Sequence, residues 1–168
     1  AGQTRTVTIT TKFGAIAIKV DGSLSPIAVG NFVALAECGF YDNVVFHRVV
    51  PDFVIQGGDG QFARSPNVDP SQMGVGGPGY TIQDEPVTAT YGRGTVAMAR
   101  TRAPNSQGSQ FFIVVSDGAR PALESANTYA IFGTVTQGMD VVDAIVGAAD
   151  AENPTNPVVM EQVTVTNP

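Results

Sequence analysis

Tryptophan is absent from this chain, and cysteine and histidine occur once each, as Cys38 and His47. A lone cysteine cannot close an intrachain disulfide, which leaves the cellular compartment open. One histidine with no cysteine cluster cannot assemble an ordinary zinc site, so no metal is expected. Charge is scarce too, at 14% of residues against about 25% in an average domain. Nine Lys and Arg face 15 Asp and Glu, for a net charge of −6. That shortage of cations argues against a nucleic-acid partner, whose binding depends on basic side chains displacing counterions, and against an anionic membrane surface. No apolar run exceeds five residues, and even Phe111-Phe112-Ile113-Val114-Val115 falls far short of the roughly 20 that a bilayer span needs. No charged-then-apolar targeting segment opens the chain, and Ala1 in place of a start methionine points to a trimmed N-terminus.

What remains is an ordinary globular composition, 43% hydrophobic over 168 residues, which suits one domain spanning residues 1–168. Glycine (19) and proline (11) are spread along the whole length and cut it into short elements. Val7 and Ile9 alternate with Thr6, Thr8 and Thr10, a β-branched period of two. Phe13-Gly14 then turns the chain, and Ile16, Ile18 and Val20 resume the alternation, which predicts a hairpin. Ser25-Pro26 reads as a helix N-cap with proline in the first turn, and Gly39 as the stop after an apolar stripe. A second helix is expected over Met139 to Val146. Strands are expected at Val44–Val50, Phe53–Gln56, Tyr80–Ile82, Thr95–Ala99, Phe111–Val115, Tyr129–Val135 and Val158–Val165. Many short strands, two helices and no βαβ alternation predict a mainly β fold. A closed antiparallel barrel is favoured, because closure leaves no sheet edge.

Three features suggest chemistry that their context does not support. Gly74-Val75-Gly76-Gly77-Pro78-Gly79 matches the spaced glycines of a dinucleotide loop, but no strand precedes it and no helix is expected after it. A glycine-rich surface loop is the better reading. His47 has no nucleophile elbow to serve as its base, so it reads as a structural histidine. Asp84-Glu85 reads as a solvated turn rather than a working carboxylate pair.

Three other segments carry more. They are Phe46-His47-Arg48-Val49-Val50-Pro51-Asp52-Phe53-Val54-Ile55-Gln56-Gly57-Gly58-Asp59, then Ala97-Met98-Ala99-Arg100 with Gly108-Ser109-Gln110-Phe111-Phe112-Ile113, then Leu123 with Tyr129-Ala130-Ile131-Phe132-Gly133. In this order and spacing they resemble the signature blocks of the cyclophilins, the cyclosporin-binding peptidyl-prolyl isomerases, and the resemblance covers nearly the whole chain. It implies a closed antiparallel barrel of about eight strands with a helix at each end, an isomerase that assists protein folding, and no cofactor. The substrates it implies are proline-containing peptides and unfolded proteins, and a monomer is expected.

By the same resemblance, Arg48 is the hydrogen-bond donor to the twisted amide, and Gln56 helps hold Arg48 and contacts the substrate backbone. Phe53, Val54, Phe112 and Leu123 would grip the proline ring, with Tyr129 at the position where many eukaryotic members carry a histidine. Ala99, Arg100 and Gln110 would line the neighbouring groove, Arg100 mainly through its backbone. The chain departs from well-known members in having Ala122 where many carry a tryptophan, Val54 where a methionine is usual, and longer segments at Thr101-Arg102-Ala103 and Glu124–Thr128. These departures imply weak cyclosporin binding. Two competing readings are a module that holds proline segments without turnover, and a hydrolase built on His47. The first has no use for the Arg48 donor, and the second lacks a partner nucleophile.

Overall fold

A computed structural model of the protein describes residues 2–167, so the start at Ala1 lies outside the described residues. The first hairpin forms where the alternation put it. β1 (Thr4–Thr11) and β2 (Gly14–Asp21) pair antiparallel from Thr4↔Asp21 to Thr11↔Gly14. Val7, Ile9, Ile16, Ile18 and Val20 are all fully buried on one face. Helix α1 (Pro26–Glu37) follows, then β3 (Arg48–Val50), β4 (Val54–Gly57), the short β5 (Ala63–Arg64) and β6 (Asn67–Val68), β7 (Thr95–Met98) and β8 (Phe111–Val114). A 3₁₀ turn (Asp117–Ala119) leads into α2 (Arg120–Ala126), and β9 (Ile131–Gln137), α3 (Met139–Ala148) and β10 (Gln162–Thr166) complete the chain.

Eight strands form one sheet in the order β10-β1-β2-β9-β7-β8-β4-β3, and every pairing is antiparallel. The fold is mainly β, with the sheet curled around its core, and the closed barrel is met only in part. β10 and β3 remain the two ends of the ladder, and an isolated bridge, Val45 to Val159, joins the segments that lead into them. There Phe46 N–H donates to Val158 O (2.9 Å) and Met160 N–H to Val44 O (2.8 Å). The seam stops at Asn43, which turns left-handed (φ 64°), and at Pro157, which has no N–H to give.

The run Phe111–Val115 is continuously apolar because β8 is buried on both faces. Phe111, Ile113 and Val115 belong to the inner core with Phe32, Phe46 and Phe132. Phe112 and Val114 point the other way, into a smaller cluster with Val54, Ala97, Leu123 and Ile131. α1 closes the inner core against β10, β9 and β2, and the Phe32 ring sits 4.8–5.1 Å from those of Tyr41, Phe111 and Phe132.

The ends of α1 show what the sequence held and what it hid. Gly39 (φ 74°) ends the helix in a Schellman motif, with Phe40 N–H donating to Leu35 O and Gly39 N–H to Ala36 O. At the start Ser25 makes no side-chain cap; its hydroxyl donates to Ile131 O (2.8 Å). The cap comes from Glu85, whose carboxylate accepts from Ile27 N–H (2.9 Å) and Ala28 N–H (2.8 Å). A carboxylate on these N–H groups stabilises a helix by about 0.5–2 kcal/mol. Asp84, its neighbour, accepts from Arg100, Asn105 and Gln107. The solvated turn is therefore corrected: the two carboxylates fasten a long loop to the body at separate places.

Other elements differ from expectation in the same irregular region. Tyr80–Ile82 is not a strand but a single bridge, Ile82 to Gln107. The loop holding Gly74–Gly79 is organised by the fully buried Asp59, whose carboxylate accepts from Gln61, Phe62, Gly74 and Gly76 N–H. α2 is an additional short helix that the apolar pattern did not announce, since only Leu123 of its seven residues is buried. No described helix is long and apolar enough to cross a membrane.

Candidate active site

The hairpin β3–β4 puts Arg48 opposite Gln56, and the β4–β8 ladder puts Gln56 opposite Phe112, which in turn faces Ala97 of β7. Directly paired residues share a face, so a cation, an amide and an aromatic ring form one row across the outer side of the sheet. α2 lies over one end of the row and brings Leu123. The segment between α2 and β9 brings Tyr129, whose ring meets Phe112 edge-on at 5.4 Å.

Arg48, Phe53, Val54, Gln56, Ala99, Arg100, Phe112, Leu123 and Tyr129 together line a cavity of about 140 Å³. Its volume is close to that of apolar cavities that admit one benzene ring, at ~150 Å³. Phe112 and Leu123 are almost wholly buried in its walls, whereas the Arg48 side chain is 36% exposed at its rim.

Gln110 is not in this cavity. Its amide nitrogen donates to Gly74 O and Gly76 O (both 2.8 Å), and its Oε1 accepts from Gln56 Nε2 (3.0 Å). It lines the adjoining groove of about 590 Å³ with Gln56, Ala99, Arg100 and the 74–81 loop. The Arg100 guanidinium is consumed structurally, paired with Asp84 (2.7 Å) and donating to Thr101 O and Ala103 O.

The expected Gln56 grip on Arg48 is absent among the described residues. Gln56 donates to Gln110 instead, and Arg48 Nε donates to Glu152 Oε1 at 2.7 Å. Sequence reasoning missed Glu152, which stands 104 positions away in a loop with no motif. It also missed Tyr91, a buried tyrosine whose hydroxyl donates to Tyr129 O (2.7 Å) and fixes the pocket wall. Burial pushes the Tyr91 phenol up to about 12, so it stays a neutral donor.

His47, beside Arg48 in sequence, is 2% exposed, and its Nδ1 has no hydrogen-bond partner among the described residues. Burial pushes the imidazole down to about 4, with the Asp59 carboxylate pulling the other way and Arg48 reinforcing the shift. The neutral ring is what the fold accepts, whereas the unfolded chain takes up the proton near 6.5. Stability from this group is therefore fully present above about 6.5 and is lost as the pH falls toward about 4. As the sole histidine, it gives one imidazole resonance, expected to titrate in the folded protein with a midpoint near 4. A proton NMR titration with a midpoint at the ordinary histidine value would contradict the burial argument. No cluster of three or more His, Cys, Asp or Glu side chains able to hold a metal occurs among the described residues.

Comparison with known proteins gives a single answer. The family model described as "Cyclophilin type peptidyl-prolyl cis-trans isomerase/CLD" matches residues 6–165. A peptidyl-prolyl cis-trans isomerase of Streptomyces antibioticus is 39% identical over 171 residues, covering 95% of this chain and 98% of that protein. A probable peptidyl-prolyl cis-trans isomerase of Brucella abortus is 39% identical over 150 residues, covering 88% of this chain and 74% of that protein. Among solved structures, a cyclophilin-type isomerase of Cryptosporidium parvum superposes with a TM-score of 0.83 at 30% identity, covering 98% of this chain and 99% of its own. The same protein solved in the presence of the dipeptide Ala-Pro gives a TM-score of 0.82. With its sheet order, its apolar pocket and its sequence all pointing one way, this chain belongs to the cyclophilin-type peptidyl-prolyl cis-trans isomerases.

Proposed function

We propose that the protein accelerates cis/trans rotation about Xaa-Pro bonds in peptides and unfolded proteins, assisting their folding, with Arg48 as the donor to the twisted amide. The observation that carries this is the placement of the Arg48 guanidinium at the rim of a ring-sized pocket whose walls include Phe53, Val54, Phe112 and Leu123. Rotation must cross about 18–20 kcal/mol because the amide C–N bond is partly double. In the twisted state the prolyl nitrogen regains a lone pair that accepts a hydrogen bond, and the amide loses much of its charge separation. A site that meets both changes binds the transition state better than either planar form, which is all the reaction requires.

Phe53, Val54, Phe112 and Leu123 hold the proline ring while the flanking carbonyl turns, and their apolar surface favours the less dipolar twisted amide. The guanidinium suits the donor role because it is charged at every physiological pH and its planar fork fixes the direction of its N–H bonds. Gln56 and the Ala99–Arg100 backbone face the chain on either side of the proline, in a groove continuous with the pocket. No group is required to form a bond with substrate, and no cofactor takes part.

The test is exchange spectroscopy on a short Ala-Pro peptide, with the protein at a small fraction of the peptide concentration. Cis and trans resonances are expected to exchange many times per second at catalytic levels of protein, against tens to hundreds of seconds unaided. Exchange that stays slow until the protein is stoichiometric would show a binding module without turnover.

A further inference from the structure

Two charged side chains line the pocket, and they are held in different ways. Arg100 is locked by Asp84 with its side chain only 9% exposed, and it also donates to the Thr101 and Ala103 carbonyls. Arg48 is the freer of the two, on a long flexible stem at a 36% exposed rim. An unrestrained arginine samples many rotamers, and each one that misses the amide is wasted.

One contact restrains it. Glu152 Oε1 accepts from Arg48 Nε at 2.7 Å. This carboxylate does not hang from a loose loop. Glu152 O accepts from Val49 N–H (2.8 Å), and Asn153 Nδ2 donates to His47 O (3.2 Å). The loop after α3 is thus stitched to the backbone on both sides of Arg48. Pro154 follows at once, and Asp150 Oδ1 accepts from Thr155 N–H (2.9 Å) to close the loop on itself.

We propose that Glu152 is the positioning residue for Arg48, gripping its Nε so that both terminal amino groups are left to face the substrate amide. The proposal rests on the reading of Arg48 as donor. Nε is the suitable point of attachment, since binding there fixes the guanidinium plane without consuming the fork. Gln56 does not do the job: its amide nitrogen donates to Gln110, and its Oε1 accepts nothing from Arg48 among the described residues. The pair is also exposed enough, at 36% and 58% of the two side chains, that it contributes little to stability. Its role is therefore orientation.

Glu152→Ala is expected to lower kcat on an Ala-Pro peptide by about three- to tenfold with KM close to wild type. Glu152→Gln retains the Oε1 acceptor without the charge and should fall between the two. The Arg48 Nε–H resonance is expected to be sharp in the wild type and to broaden in Glu152→Ala, while that of Arg100 stays sharp in both. With Arg48→Ala as background, Glu152→Ala should change the residual rate by less than about twofold, because the group it positions is gone. A reduced rate in Arg48→Ala combined with wild-type or faster turnover in Glu152→Ala would overturn the positioning role and leave Arg48 standing as donor. Loss by the same factor in both backgrounds would overturn it too, since the effect would then be a general loosening of the loop. Wild-type turnover in Arg48→Ala would instead remove the donor reading, and this inference with it.

Discussion

Replacing Arg48 by alanine is expected to cut kcat/KM for Xaa-Pro peptides by at least about tenfold while the protein stays folded. The rate effect follows from what is removed. A hydrogen bond from a charged donor contributes about 1.5–3 kcal/mol, and one made only to the twisted amide appears wholly in the barrier, as roughly ten- to over a hundredfold in rate. The fold should tolerate the change for a separate reason. Arg48 gives up one ion pair, and the partner it leaves, Glu152, is 58% exposed and returns to water. Such exposed pairs contribute about 0–1 kcal/mol. The backbone bonds of β3 to β4 and to Glu152 O do not depend on the side chain. Arg48→Lys keeps the charge but loses the planar fork, so it should recover only part of the rate. Peptide turnover measured beside a thermal melt separates the two effects. A variant that melts like the wild type and isomerises at its rate would end the assignment.

What the sequence made legible is what short-range pattern encodes. The alternation of β1 and β2 specified their pairing and buried face, because period two leaves a strand no other way to hide Val7, Ile9, Ile16 and Ile18. The run Phe111–Val115 announced a strand, and the structure buries it on both sides. The run did not say that one side faces the core and the other a pocket, since alternation is silent when every residue is apolar. The pocket residues themselves were legible only through the resemblance of their motifs. Nothing in composition or spacing brings Leu123 of α2 to Phe112 of β8.

The misses share one physical cause. Glu85 capping α1, Asp84 holding Arg100 and Glu152 gripping Arg48 are polar contacts across 58, 16 and 104 positions. Helix and strand periods carry no information about them, and each carboxylate sits in a loop where an acidic residue ordinarily means only solvation. Ser25 shows the converse. Its local sequence is that of a cap, yet its hydroxyl is drawn to Ile131 O on β9 and a remote glutamate takes its place. Where tertiary structure offers a carboxylate to the helix start, the local preference of serine does not decide the outcome.

Cyclosporin is expected to inhibit this protein weaker by roughly ten- to several-hundredfold than it inhibits relatives with a tryptophan beside the pocket leucine. In this chain that neighbour is Ala122, on the exposed side of α2, while Leu123 turns inward with 3% exposure. An indole there would offer an N–H donor and a broad apolar face to the drug. Alanine offers neither. The missing hydrogen bond costs about 0.5–1.5 kcal/mol and the missing contact area about 1–2 kcal/mol, which together give the stated range in affinity. Turnover should be spared, because Phe53, Phe112 and Leu123 line the cavity without help from residue 122. Ala122→Trp should then regain part of the affinity at little cost to folding, since the position is helical and open to solvent and no core atom must move. Titrating both proteins with cyclosporin against a fixed peptide turnover distinguishes the outcomes. Inhibition of the unmodified protein as tight as in tryptophan-bearing relatives would show that the drug draws its affinity from the pocket alone.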